Sequence, residues 1–353
     1  MLRVKAIQTE LKKQELDALL VTSPFNLRYV SNFTGTTGLG VITHDKAYFV
    51  TDFRYTEQAA EQAEGYEIIQ NTGPIFDEVK ALVEKESISN LGFETNFMTF
   101  SNYELLNSLV ECRLTPVSGL IESLREIKEE SEIETIQKAI KITEYAFEEI
   151  LHFIKPGVTE IEVANKLDFL MREEGASGVS FDTIVASGKR SAMPHGVASD
   201  KVIEQGDMIT IDFGCYYNGY VSDMTRTFAL GDPGVELKKI HQIVLDANQK
   251  VTEQIRAGIT GKDLDAVARD YITEKGYGKA FGHSTGHGIG LEVHEGPGIN
   301  FKNENVLVSG NVITNEPGIY IPGLGGVRIE DDLVVTDSGS RNLMSVSKEL
   351  IQL

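Results

Sequence analysis

Two alternating or apolar runs flank Asn218-Gly219 in residues 209–227, ITIDFGCYYNGYVSDMTRT. Asn-Gly is favoured in type I′ turns because both central residues must take positive φ. The stretch therefore reads as a β-hairpin with a two-residue loop. In that register Tyr217 faces Tyr220, Asp212 faces Thr225 and Asp223 faces Gly214. Opposed residues share a face of the ladder, as do residues two apart on one strand. Asp212 and Asp223 then stand on one face, one diagonal step and roughly 7 Å of backbone apart. Two carboxylates aimed at one point repel unless something positive lies between them. From the hairpin alone, solvated strand-end acids are an equal alternative.

Upstream, strand-like and helix-like segments alternate. AIQTELKKQEL predicts a helix, DALLVTS a buried strand, and GLGVITHDKAYFVT two strands around a His44-Asp45 turn. FRYTEQAAEQAEG predicts a helix ended by Gly65, followed by the strand YEIIQ. IFDEVKALVEKE, NLGFE and NYELLNSLVE continue as helix, strand and helix, the signature of an α/β layer domain. This region has no clustered His/Asp/Glu set and no Gly-rich phosphate loop. Packing, substrate capping and subunit contact all stay open as its work.

The charged run REIKEESE (125–132) leads into a helix reaching about Ile154, and an internal repeat follows. KPGVTEIEVANKLDFLMREEG (155–175) resembles RAGITGKDLDAVARDYITEKG (256–276). Thr159 and Thr260 are N-caps with Glu162 or Asp263 three residues on, a capping box or its close relative. Each helix carries an i, i+3/i+4, i+7 apolar stripe and ends at a glycine, Gly175 or Gly276. The repeat extends to GDMITIDFG (206–214) against GNVITNEPG (310–318), which makes Asp212 and Glu316 equivalent. His195 and His294 correspond in the same way. A pseudo-two-fold arrangement follows, with a site built from both halves.

A chain of 353 residues suits two domains, divided here as 1–123 and 124–353. A net charge of -20 argues against nucleic acid or an anionic membrane as partner. Cys112 and Cys215 give no disulfide framework, and Cys215 falls on the face opposite Asp212, as packing. The charged N-terminus has no apolar leader core, and no run approaches the length of a membrane span. A cytoplasmic location is expected.

Five residues qualify as metal ligands: Asp212, Asp223, His287 in GHSTGHGIG, Glu316 in NEPG and Glu330 in GVRIEDD. Each alone has an ordinary reading as a loop histidine or a solvated acid. Together they form an oxygen-rich set whose four negative charges balance two divalent cations. One nitrogen among oxygens favours hard or borderline ions such as Mn²⁺ over a thiolate-type zinc site. Two such ions lower the pKa of a shared water, which suits hydrolysis.

With these motifs the chain resembles the pita-bread metallopeptidases, the family of prolidase, aminopeptidase P and methionine aminopeptidase. The resemblance implies an N-terminal α/β domain ahead of a pseudo-two-fold catalytic domain. It implies that Asp223 and Glu330 bridge two metals, Asp212 completing one and His287 with Glu316 the other. His195, His283, His294 and Arg328 match the prolidase and aminopeptidase P branch; methionine aminopeptidases typically lack a histidine four before the ligand His, and lack the arginine. The implied substrate is a small peptide with proline second, cut before the proline. His294 is expected to stabilise the tetrahedral intermediate and Glu316 to shuttle the proton. His195 and His283 would shape the proline pocket and hold the product carboxylate or the leaving group. Arg328 would anchor nearby Glu or Asp side chains, the preferred role, or else a substrate carboxylate. Mn²⁺ is the expected metal, with Co²⁺, Fe²⁺ or Zn²⁺ as alternatives. A homodimer is implied, one subunit's N-terminal domain capping its partner's site. Dipeptidase, longer-peptide aminopeptidase and non-catalytic binding module are the three readings, in that order.

Overall fold

The computed structural model describes residues 2–353 and divides into two compact units, Met1–Arg125 and Glu126–Leu353. In the first, the apolar run ALLV forms β1 (Ala18–Val21) near the middle of a six-stranded sheet. Its neighbours are β2 (Leu39–Thr43), β3 (Ala47–Thr51) and β4 (Glu67–Gln70) on one side, β5 (Asn90–Glu94) and β6 (Arg113–Val117) on the other. β1, β2 and β3 pair antiparallel around the His44-Asp45 turn, and the outer pairings are parallel. The helices are α1 (Leu2–Lys13), α2 (Pro24–Ser31), α3 (Thr56–Gln62), α4 (Ile75–Lys85), α5 (Phe100–Leu109) and α6 (Leu120–Arg125). Three of these elements, α2, β6 and α6, add to those patterned in the sequence. α2 is short but well started: the Ser23 side chain accepts from Asn26 N, and Pro24 occupies the first turn, where its missing N–H costs nothing. β6 tolerates Pro116 because it is an edge strand.

The second unit shows the repeat as structure. α7 (Glu130–Phe153) and α8 (Glu160–Glu173) belong to one half, α9 (Val235–Gln254) and α10 (Gly261–Glu274) to the other. Thr159 and Glu162 form a full capping box. Thr260 accepts from Asp263 N, but Asp263 is one methylene shorter, and no reciprocal bond is seen among the described residues. Gly157 N donates to Ile203 O at 3.0 Å, and Gly258 N to Leu307 O at 2.9 Å, at equivalent places. Two cores lie against the helix pairs, and each takes strand residues from both halves, Val312 and Val334 in the first, Met208 and Ala229 in the second. Ile136, Ile140, Phe147, Leu167 and Ile211 belong to the first, Ile240, Val244, Val251, Leu264 and Leu333 to the second.

The strands meet between the helix pairs. In the first half β8 (Ile184–Ser187), β9 (Met208–Phe213) and β12 (Met224–Ala229) form one sheet, β9 central. β7 (Gly178–Val179), β10 (Cys215–Tyr217) and β11 (Tyr220–Val221) form another. In the second half the order is β14 (Glu295–Ile299), β13 (Gly286–Gly288), β15 (Val312–Asn315), β18 (Asp331–Val335) and β19 (Ser340–Asn342). A separate ribbon pairs β16 (Gly318–Ile321) with β17 (Gly325–Arg328).

The hairpin has the expected register, with Tyr217 opposite Tyr220 and Asp212 opposite Thr225. Asn218 and Gly219 take φ of 48° and 81°, as a type I′ turn requires. The expected ladder pair of Asp223 with Gly214 does not form. Gly214 lies against Ser222 O with no room for a Cβ, its own carbonyl accepts from Ser180 N, and Asp223 N donates to Asp332 Oδ2 at 3.2 Å. The hairpin thus breaks into two sheets at the point where it releases Asp223. Cys215 is buried in the first core. Among the described residues no helix is long and apolar enough to cross a membrane.

Candidate metal centre

The candidate ligands occupy strand ends and breaks, where backbone direction changes and side chains converge. Asp212 lies near the end of β9 and Asp223 just before β12. His287 is the middle residue of β13, Glu316 follows β15, and Glu330 precedes β18. All five line one cavity of about 550 Å³, together with His195, His283, His294 and Arg328. The structure brings together every residue singled out in the sequence.

Asp223, His287 and Glu330 each present a ligand atom, all within 4.8 Å of one another. His287 Nδ1 faces Gly288 O at 3.1 Å, and a carbonyl can only accept, so Nδ1 carries the proton. Its Nε2 then turns a lone pair on Glu316 Oε1 at 3.4 Å and Asp223 Oδ2 at 3.7 Å. Burial, with His294 nearby, lowers the His287 pKa to about 4, so the ring is neutral at pH 7. Burial, the charge of Asp212 adding and Arg328 opposing, pushes Glu316 up to about 8. Burial and neighbouring carboxylates also hold Asp223 and Glu330 well above the usual carboxylate range.

These groups repel unless cations lie among them. Asp212 Oδ1 is buried with no hydrogen-bond partner, although Oδ2 accepts from Arg328 Nη2 at 2.5 Å. An orphaned carboxylate oxygen, an unprotonated imidazole nitrogen and raised acids in one cavity fit a set of ligands for divalent cations. Oxygen donors with one nitrogen fit hard or borderline ions.

Around this set, several side chains fix orientation. Thr225 Oγ1 donates to Glu330 Oε2 at 2.7 Å and accepts from Arg328 Nε at 3.1 Å. Arg328 Nη1 donates to Tyr320 Oη at 2.8 Å, which lies 2.9 Å from His283 Nε2. His283 Nδ1 donates to Ser284 O at 2.8 Å. Both nitrogens of His283 are therefore engaged within the protein. His195 and His294 are exposed at the cavity, the His294 ring 4.4 Å from that of His287 between centroids. Thr225, Tyr320 and Asp332 were not singled out from the sequence. The hairpin register could have found Thr225, opposite Asp212, and the acidic run after Ile329 could have found Asp332. No sequence signal marks Tyr320.

Comparison with known proteins agrees with this geometry. The model of metallopeptidase family M24 matches residues 134–337, and that of the Creatinase/Prolidase N-terminal domain matches residues 3–127. A curated uncharacterized peptidase, YqhT of Bacillus subtilis, is 52% identical over 339 residues, 96% of each chain. The solved Xaa-Pro dipeptidase from Bacillus anthracis superposes with TM-score 0.98 at 53% identity, covering 99% of each chain. The X-Pro aminopeptidase from Thermotoga maritima superposes with TM-score 0.92 at 42% identity, covering 98% of this chain and 100% of its own. With the two family models matching in succession, the chain belongs to metallopeptidase family M24 and carries a Creatinase/Prolidase N-terminal domain ahead of its catalytic domain.

Proposed function

We propose that the protein is an Xaa-Pro dipeptidase, hydrolysing the bond between an N-terminal residue and proline. The observation carrying this reading is the likeness to the Bacillus anthracis dipeptidase over 99% of both chains. Asp212, Asp223, His287, Glu316 and Glu330 would hold two divalent cations, Mn²⁺ being the ion that best suits the donor set. Bound cations supply Lewis acidity and a water of lowered pKa.

The amide before proline has no N–H, so recognition must come from other groups. His294, exposed beside His287, is placed to donate a hydrogen bond to the scissile carbonyl as negative charge develops there. Glu316, ionised when it holds a cation, can accept a proton and return it to the leaving imino nitrogen. Arg328 holds Asp212 in place, and His195 is free at the cavity to meet the substrate. Two unpaired cysteines suit a reducing, cytoplasmic compartment. We assign the protein a homodimeric state on the family resemblance.

The likeness to the Thermotoga maritima aminopeptidase favours a second reading, in which longer Xaa-Pro peptides are cut. Metal-stripped protein given Mn²⁺ decides between them with Ala-Pro and Ala-Pro-Ala. Dipeptide cleavage alone is expected; efficient tripeptide cleavage would establish the aminopeptidase, and turnover of neither would overturn both.

A further inference from the structure

The geometry points to Asn248 as a positioning residue that sets the direction of Glu316 and Glu330 together. Asn248 is fully buried on α9 and touches neither carboxylate. Its Nδ2 donates to Asn315 O at 2.9 Å and to Ile329 O at 3.3 Å. Those carbonyls belong to the residues immediately before Glu316 and Glu330. The ladder of β15 with β18 stops at the Asn315–Asp331 pair, so both carbonyls fall where the sheet has ended. Pro317 cannot extend the ladder, having no N–H. One amide, reaching from the helix behind, bridges the break.

The amide is itself aimed. Lys348 Nζ donates to Asn248 Oδ1 at 2.8 Å, which leaves only Nδ2 to face the two carbonyls. Asn315 Nδ2 returns a bond to Asn248 O at 2.9 Å, closing the contact from the strand side. Loss of the Asn248 amide would leave two buried carbonyls without this donor, and the chain would move to find another. The other half shows what this place does when no break needs spanning. The offset of 101 residues that aligns the Thr159 and Thr260 caps puts Phe147 at the equivalent site. Phe147 is buried core, its ring 6.0 Å from Phe228.

This inference rests on Glu316 and Glu330 being cation ligands, and its test separates the two claims. Mn²⁺ affinity is measured by chelator competition, and thermal midpoints are taken on the metal-free proteins. Asn248→Leu keeps volume and removes the donors; it should weaken Mn²⁺ binding by roughly tenfold or more, the range for groups that orient ligands. Phe147→Leu should lower the metal-free midpoint and leave Mn²⁺ affinity at the wild-type value. Lys348→Met, which leaves Asp331 paired with Arg226, should weaken binding in the same direction but less. Wild-type affinity in Asn248→Leu overturns the inference. If that variant does not fold, wild-type affinity in Lys348→Met does so. A wild-type protein that binds no cation overturns the ligand reading and this inference with it.

Discussion

The two halves of the second unit begin alike and end differently. Each sets a threonine-capped helix after a left-handed glycine and closes it at another. In the first half Asp212 sits inside an unbroken ladder, opposite Thr225, and its carboxylate is held by Arg328 from the second half. In the second half Glu316 and Glu330 lie one step past the last ladder pair. There Thr314 and Thr225 hydroxyls reach their side chains, from 3.4 and 2.7 Å. The shared skeleton places strands; the departures from it place chemistry.

The largest expected effect tests whether the halves make one site. Asp212→Ala from the first half and Glu330→Ala from the second should each abolish turnover, beyond the ~10–100-fold that supporting groups cost. Near-normal turnover by either, in protein given excess Mn²⁺, would show that half to be dispensable. A smaller effect concerns charge. Glu316 has its pKa raised to about 8 from 4.5, so between those values the folded, metal-free protein holds a proton that the unfolded chain has lost. Stability of metal-free protein should therefore fall as pH rises, by up to about 1.4 kcal/mol per pH unit for one proton. The buried histidines His241, His283 and His287, lowered to about 4, act oppositely and only below about pH 6.5. Urea titrations from pH 6.5 to 8 leave out the histidines and read Glu316 together with the other raised carboxyls, Asp223, Glu330 and Asp332. Glu316→Gln should reduce the slope; an unchanged slope would assign it wholly to the others. The smallest effect compares the caps. Thr159→Ala should cost ~1 kcal/mol, more than Thr260→Ala, because only the first box is reciprocal. Equal costs would mean that the returning Glu162 bond adds nothing.

Much of this was legible because the informative residues sit in local motifs. Asn218-Gly219 set the hairpin register, and the repeat tied Asp212 to Glu316 across the chain. The sequence was silent where position depends on a distant partner. Asn248 lies mid-helix among apolar neighbours, and only the break in the opposite sheet gives its amide a purpose. Tyr320 bridges Arg328 and His283 only because the ribbon of β16 and β17 folds back beside them. The interruption at Gly214 is steric and follows from the approach of Ser222. α2 was legible in principle, since Ser23-Pro24 is a helix-start signal, but a helix of 8 residues leaves little periodicity to notice.

The line from Arg328 through Tyr320 and His283 to Ser284 runs one way only. A guanidinium can only donate and a carbonyl can only accept, so every hydrogen between them is assigned by its two ends. Such a line cannot reverse, and it cannot carry a proton from one end to the other. It insulates that wall. His195 and His294 lie outside that line and stand exposed at the cavity, where a substrate can meet them.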